Sequence, residues 1–257
     1  MPLENNNIYY ILPAFNEADN LEELFSSFTN FYRNKKENII IIYVNDGSTD
    51  NSAEKLEKIK IQLPNNITLR ILNHKINQGL GKALSNGFKE CFSLAKSQDI
   101  FITMDTDNSH TVEQSYGLYK KIKENNFDIA IASRYRKNSK INGLNKLRII
   151  LSLVAAILFK IFFNIKNVRD YTCGFRAYKV DKIRKIIENY ENFFSETGFS
   201  VSADILLKLY PYRKSFLISE EPIDLRYDLK KGKSKMKILK TIFLTLKLLI
   251  VRKLFKL

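Results

Sequence analysis

Residues 39–61 read IIIIYVNDGSTDNSAEKLEKIKI. The run Ile39 to Val44 is β-branched, continuous and too short for a helix, so it reads as a strand buried on both faces. Asp46-Gly47 then supplies turn chemistry, Asp50 is placed as an N-cap, and Ser52 to Ile61 carries helical periodicity. The same unit recurs along the first half of the chain. Ile8 to Leu12 precedes a helical stretch at Asn20 to Tyr32, and Ile67 to Leu72 precedes Lys82 to Lys96. Ile100 to Met104 precedes Thr111 to Lys123, and Asp128 to Ser133 reads as a further strand. Strand alternating with helix predicts an α/β fold with a mostly parallel sheet covered by helices on both faces. Ligands of such sheets bind at the carboxyl ends of the strands, so the chemistry is expected in the loops that follow them.

Composition narrows the class. With 257 residues, 45% hydrophobic and 27% charged, the chain can bury an ordinary core. Its 9 glycines and 5 prolines exclude collagen-like and low-complexity readings. Cys91 and Cys173 lie far apart without a C-x-x-C spacing, which removes a zinc ribbon, a redox motif and a disulfide framework and fits a cytosolic setting. No leader-type apolar segment is visible at the N-terminus. The net charge of +15 is concentrated: the 32 residues from Arg226 hold 11 basic residues against one acid, Asp228. The body is therefore almost ordinary in charge, which argues against a nucleic-acid partner.

Two later segments differ from the alternating pattern. Ile149 to Phe159 is apolar but is broken by Lys160, short of the roughly 20 residues that cross a bilayer, and predicts a buried or interfacial helix. Met236 to Leu257 combines Lys237, Lys240 and Lys247 with Ile, Leu and Phe, the pattern of a basic amphipathic helix on an anionic membrane surface. Docking on a partner subunit or on its own domain is the alternative. The expected division is a catalytic domain over 1–235 and this helix over 236–257.

The strand-end loops are rich in polar residues. The first is Pro13-Ala14-Phe15-Asn16-Glu17, and with the second it would set Phe15 beside Asp46, where a flat base could stack and be hydrogen-bonded. The third, Asn77-Gln78-Gly79-Leu80-Gly81-Lys82-Ala83, has glycines that let backbone approach a ligand, but neither a P-loop nor a dinucleotide fingerprint. The fourth is Met104-Asp105-Thr106-Asp107-Asn108-Ser109-His110. Paired carboxylates at the end of a buried strand are costly unless a cation lies between them, and Mg²⁺ or Mn²⁺ completes its shell with phosphate oxygens. Asp105 and Asp107 therefore read as a metal-diphosphate site, with His110 either a ligand or a loop hydrogen-bonder.

With Ser133-Arg134-Tyr135, Asp170-Tyr171-Thr172-Cys173-Gly174-Phe175-Arg176 and Gly232-Lys233-Ser234-Lys235, these blocks resemble the family 2 glycosyltransferases of GT-A fold. Within them the chain is similar to the dolichol- or polyprenyl-phosphate mannosyl- and glucosyltransferases. The resemblance implies nucleotide-sugar binding through Pro13, Phe15, Glu17, Asp46, Gly79, Lys82 and Asp105, and a metal on Asp105 and Asp107. It implies inverting transfer of a hexose from GDP-mannose or a UDP-sugar to a polyprenyl phosphate, with Asp107, Arg134, Arg148 and Arg176 as catalytic groups. A phosphate acceptor is already anionic at neutral pH, its second pKa being about 6, so it needs cationic clamps and no strong base. The enzyme is then expected at the cytoplasmic face of the membrane as a peripheral protein. Asn45 and Cys173 stand where the family commonly has Asp and Ser, and Pro222 to Gly232 is one residue longer than usual, leaving Arg226, Lys230 and Lys231 unassigned. A transferase acting on a sugar hydroxyl, as in polysaccharide or lipopolysaccharide assembly, would need a carboxylate base, for which Glu196 or Asp204 are candidates. A processive synthase would need the tryptophan of Q-x-x-R-W, and the chain has none.

Overall fold

The computed structural model describes residues 7–190, 192–196, 198–231 and 238–254, with backbone alone for 238–240. The block Gly232-Lys233-Ser234-Lys235, with Met236 and Lys237, lies outside the described residues, as does the side chain of Lys240.

The expected alternation is present as β1 (Asn7–Ala14), α1 (Leu21–Tyr32), β2 (Asn38–Asn45), α2 (Ser52–Gln62), β3 (Ile67–Asn73), α3 (Leu80–Leu94), β4 (Ile100–Thr103), α4 (Val112–Asn125) and β5 (Ile129–Ser133). The rest of the chain adds β6 (Lys140–Asn142), α5 (Lys146–Phe162), β7 (Arg176–Lys179), α6 (Val180–Glu188), α7 (Val201–Leu209), β8 (Ile218–Pro222), β9 (Asp224–Arg226) and α8 (Ile238–Leu254). Seven strands form one sheet in the order β3-β2-β1-β4-β7-β5-β8, and β6 pairs with β9 in a small parallel ribbon. All neighbours in the large sheet are parallel except β7, which runs antiparallel between β4 and β5.

That inserted strand positions the site. Because β7 is antiparallel to β4, its first residue, Arg176, pairs with Thr103, the last residue of β4. The turn before β7 is thereby set beside the loop after β4, and the Thr103 hydroxyl donates to the Gly174 carbonyl at 2.6 Å. Residues on both faces of the central strands are buried, as the β-branched runs predict for a sheet covered on two sides. Close approach needs glycine at Gly87 and Gly47 among other positions. A Cβ on Gly87 would lie 2.4 Å from Ile11 Cγ2, so α3 can press onto β1 only without one. Gly47 has φ of +68° and a Cβ there would sit 2.3 Å from the Ile76 carbonyl carbon, which fuses the second and third loops backbone to backbone.

The described part of the tail packs on the rest of the chain. Helix α8 packs along α5, burying Leu248 and Leu249 at 3% and 4% exposure. Arg252 Nε donates to Asp204 Oδ1 at 2.7 Å, and Lys208 Nζ lies 3.1 Å from the other oxygen, so a buried cation-acid-cation cluster pins the helix down. Helix α8, which follows the expected boundary at 235/236, thus packs against α5 and reaches Asp204 of α7. Local sequence could not reveal this, because Asp204 and Arg252 are 48 positions apart.

Candidate active site

The first two loops are knitted together before any ligand is considered. Asn16 N–H donates to Ser48 Oγ at 2.9 Å, Thr49 N–H donates to Asn16 Oδ1 at 2.7 Å, and Ala18 N–H donates to Asp50 Oδ2 at 3.0 Å. Asp50 also accepts from Ser52 N–H at 3.1 Å, so it serves the first turn of α2 as expected, from one residue ahead of the Asn51 cap position. The third loop is held by Asp46. Its Oδ1 accepts from Gln78 N–H at 2.9 Å and pairs with His74 Nδ1 at 2.6 Å, and its Oδ2 accepts from Gly79 N–H at 2.8 Å. His74 is fixed in turn by Asn86 on its other nitrogen, at 2.8 Å. Asp46 is thus chiefly the bolt of the Gln78-Gly79 turn, with capacity on Oδ2 for one further donor.

Beneath these loops lies a cleft of about 480 Å³ lined by Pro13, Phe15, Glu17, Asp46, Gly79, Asp105 and Asp107. Six expected nucleotide-binding positions and both expected metal ligands therefore meet in one place. Lys82 does not: it is exposed in the first turn of α3 and lines no wall of the cleft, because Ala83 takes the inward position.

The two carboxylates are unequal. Asp107 Oδ1 accepts from Ser109 Oγ at 2.5 Å, and its Oδ2 is paired at 2.5 Å with Lys230, the residue that spacing left unassigned. Burial disfavours the charge of Asp107, but the Lys230 ammonium and the Ser109 hydroxyl outweigh it and hold the carboxyl below its ordinary range. Asp105 opens to the cleft yet is enclosed enough for desolvation to push its carboxyl up, with the Asp107 charge adding to the effect. No side chain among the described residues donates to the Asp105 carboxylate. His110 serves the loop as a hydrogen-bonder in this structure: its Nδ1 accepts from Asp105 N–H at 3.4 Å and its ring stacks on Phe175 at 4.5 Å. No group of three or more His, Cys, Asp or Glu residues with metal-holding geometry occurs among the described residues. An ion held by Asp105 and Asp107 would thus take the rest of its shell from substrate oxygens and water, as Mg²⁺ and Mn²⁺ commonly do.

A second cavity, about 350 Å³, adjoins the cleft and shares Asp105, Phe199, Tyr227 and Thr241 with it. Its walls are aliphatic residues of α5 and α8, among them Leu151, Ala155, Leu158, Ile242 and Leu246. Arg134 and Arg148 enter it. Arg134 is locked: Nε and Nη2 donate to the two Asp170 oxygens at 2.8 and 2.6 Å, and Nη2 also reaches Thr172 Oγ1 at 2.6 Å. Arg148 has no carboxylate partner among the described residues. Arg176 does not enter the cavity. It is 0% exposed in β7 and its guanidinium donates to the carbonyls of Ser202 and Tyr171, at 2.7 and 2.8 Å. The expected phosphate clamp is thus not brought to the cavity with Arg134 and Arg148, and this arginine braces the turn before β7.

Asp170 yields a stability prediction. Burial works against its charge, but the Arg134 fork and the amides of Cys173 and Arg134 prevail, so its carboxyl lies below the usual range. A depressed carboxylate contributes stability above its unfolded pKa, and that contribution is lost as pH falls through the folded value. Asp170→Asn should cost about 3 kcal/mol at neutral pH by unpairing a buried arginine. The difference from wild type should shrink below about pH 4 in denaturant titrations.

Residues 9–187 match the model of the family described as "Glycosyl transferase family 2". The chain belongs to that family. It is 33% identical over 199 residues to the dolichol-phosphate mannosyltransferase of Pyrococcus furiosus, covering 77% of this chain and 51% of that protein. It is 26% identical over 176 residues to the polyprenol monophosphomannose synthase of Mycolicibacterium smegmatis, covering 68% and 63%. The chain thus spans about half to two thirds of these relatives. Among solved structures, mannosyl-3-phosphoglycerate synthase from Rubrobacter xylanophilus superposes with a TM-score of 0.69 at 15% identity, over 98% of this chain and 74% of the other. Glucosyl-3-phosphoglycerate synthase from Mycobacterium tuberculosis, solved with Mn²⁺ and UDP, gives 0.67 at 15% identity, over 96% and 80%. This family 2 chain has the α/β fold of GT-A glycosyltransferases, with a mostly parallel central sheet and helices around it.

Proposed function

We propose that this chain transfers a hexose from a nucleoside diphosphate sugar to a polyprenyl phosphate at a membrane surface. The observation that carries the reading is the cavity beside the cleft: aliphatic along α5 and α8, with Arg148 unmatched by any described carboxylate and Arg134 anchored nearby. An apolar chain ending in a phosphate suits that lining, and the names of the two curated relatives support it.

In this reading Phe15, Glu17 and the Asp46-held turn seat the nucleoside in the cleft. Asp105 and Asp107 would hold Mg²⁺ or Mn²⁺, whose Lewis acidity would stabilise the charge developing on the leaving diphosphate. The Mn²⁺ and UDP named for the Mycobacterium tuberculosis structure support a divalent ion in this fold. Arg148 binds and orients the acceptor phosphate, and the Asp170 bond keeps the Arg134 fork in one rotamer. The phosphate oxygen attacks the anomeric carbon from the face opposite the leaving group and inverts it. A base is not required, and the lining offers little: Asp105 is its single carboxylate among the described residues. Asp204 is neutralised by Lys208 and Arg252, and Glu196 accepts from Ser200 at 2.7 Å; neither lines cleft or cavity, which disfavours a hydroxyl acceptor.

The membrane seat is read from two exposed stripes. Leu147, Ile150, Val154, Ile157 and Ile161 recur at helical spacing on α5, and Phe243, Leu246, Ile250 and Leu254 do so on α8; all are exposed. Lys146, Lys166, Lys247 and Lys253 are exposed on or near the same helices. Adjacent apolar stripes with basic neighbours match a helix pair lying in an anionic interface. No helix among the described residues is long and apolar enough to cross a membrane.

The deciding experiment offers a panel of radiolabelled nucleotide sugars with polyprenyl phosphate and follows the label. Entry of one label into the organic phase is expected; label recovered only in water-soluble saccharide would overturn the acceptor. Kinetics with varied donor test the cleft. Asp46→Ala should raise KM for the nucleotide sugar more than it lowers kcat, because a loosened Gln78-Gly79 turn weakens ground and transition states alike. An effect confined to kcat would put Asp46 at the reacting centre.

A further inference from the structure

Lys230 is the cation of a site built for another cation. Its Nζ lies 2.5 Å from Asp107 Oδ2, the pair is mostly buried, and Ser109 already occupies Oδ1. The ammonium therefore covers the one Asp107 oxygen left for a metal, while Asp105 beside it has no side-chain donor among the described residues. The loop that carries Lys230 is tied to α1. Lys231 N–H donates to Asn20 Oδ1 at 3.3 Å, and Asn20 Nδ2 reaches the Lys231 carbonyl at 3.5 Å. Arg226 N–H donates to the Ser109 carbonyl at 2.9 Å, which fixes the start of the same loop on the metal-site loop. The backbone on either side of Lys230 is thus held, and its side chain can exchange partners without a large movement.

We infer that Lys230 is a placeholder that couples metal binding to nucleotide binding. A divalent ion arriving alone must displace a largely buried ammonium from its carboxylate and leave it beside the new charge. Arriving with a diphosphate, it brings anionic oxygens that take over Lys230 as Asp107 releases it. Lys230 thereby disfavours the metal-only state and favours the metal-diphosphate state, a positive coupling that must act equally on either ligand. This rests on the reading of Asp105 and Asp107 as a metal-diphosphate site, and it assigns Lys230 a role in order of binding in addition to contact with the donor.

The test is titration of the full chain with Mn²⁺ at neutral pH, following free Mn²⁺ by electron paramagnetic resonance, with and without UDP or GDP. Wild type should bind Mn²⁺ weakly alone and at least tenfold more tightly with the preferred nucleotide. Lys230→Met should bind Mn²⁺ alone about tenfold more tightly than wild type, and the gain from nucleotide should shrink correspondingly. Lys230→Arg, which keeps the charge, should resemble wild type, so a general loosening of the loop cannot imitate the result. Unchanged or weaker Mn²⁺ binding by nucleotide-free Lys230→Met, with wild type still binding Mn²⁺ and nucleotide together, would overturn the coupling alone. Absence of Mn²⁺ binding to wild type even with nucleotide would overturn the metal site and the coupling with it.

Discussion

Replacing Asp107 by Asn is expected to lower sugar transfer about 10²- to 10³-fold, the cost of losing one interaction that stabilises charge in the transition state. The chain should stay folded, because Asn keeps the volume and can keep the Ser109 contact. Asp105→Asn should also inactivate, yet its effect on stability should have the opposite sign to that of most substitutions. Desolvation raises the Asp105 carboxyl, so the folded state disfavours its ionised form. Such a group weakens folding as pH rises through its range, and a neutral amide removes that penalty. Melting of the metal-free Asp105→Asn chain at or above the wild-type temperature, together with lost activity, would fit a carboxylate kept for an ion. Activity that survives chelation by EDTA, or an Asp107→Asn enzyme near the wild-type rate, would exclude the metal site.

What the sequence discloses and what it hides divide along the range of the interaction. The strands from β1 to β5 are legible because burial on two faces demands continuous β-branched residues, a local signal. Phe15, Asp46, Asp105 and Asp107 are legible because each follows such a strand, and parallel order brings strand ends together. Strand β7 is not legible: Arg176-Ala177-Tyr178-Lys179 is short and polar, and only its pairing with β4 and β5 makes it a central strand. The same insertion buries Arg176, so a residue that reads as a phosphate ligand serves as a brace. Lys230 stays unassigned in the sequence for a similar reason, since the Asp107 it pairs with is 123 positions away. The sequence does not reveal which stripe of α5 and of α8 is exposed and which packs on the neighbouring helix. His74 could have been suspected, as a histidine directly after the third strand, at the end of the sheet where the other site residues gather.

Deleting the final helix is expected to unfold the domain as well as to detach it from a membrane. Leu248 and Leu249 are core residues, and emptying a buried leucine site typically costs about 2 to 5 kcal/mol. Loss of Arg252 leaves Asp204 with Lys208 alone, and breaking a buried ion pair costs about 3 to 5 kcal/mol. Even the lower figures together approach the roughly 5 to 15 kcal/mol that holds a typical domain folded. A chain ending at Lys231 should therefore lose its cooperative calorimetric transition or melt far below the full chain. Point variants can separate the two roles of α8. Leu248→Ala acts on the core and should lower the melting temperature. Phe243→Ser and Ile250→Ser change only the exposed stripe and should shift stability by no more than about 0.5 kcal/mol while reducing flotation with anionic vesicles. Each lysine near an anionic surface contributes about 1 kcal/mol, and salt weakens it, so flotation of the full chain should fall as salt rises. Flotation that ignores salt yet is lost in Phe243→Ser would assign the membrane seat to the apolar stripe alone. A truncated chain that melts like the full one would show that α8 rests on the domain without supporting it, and would remove the Asp204 cluster from the account of the core.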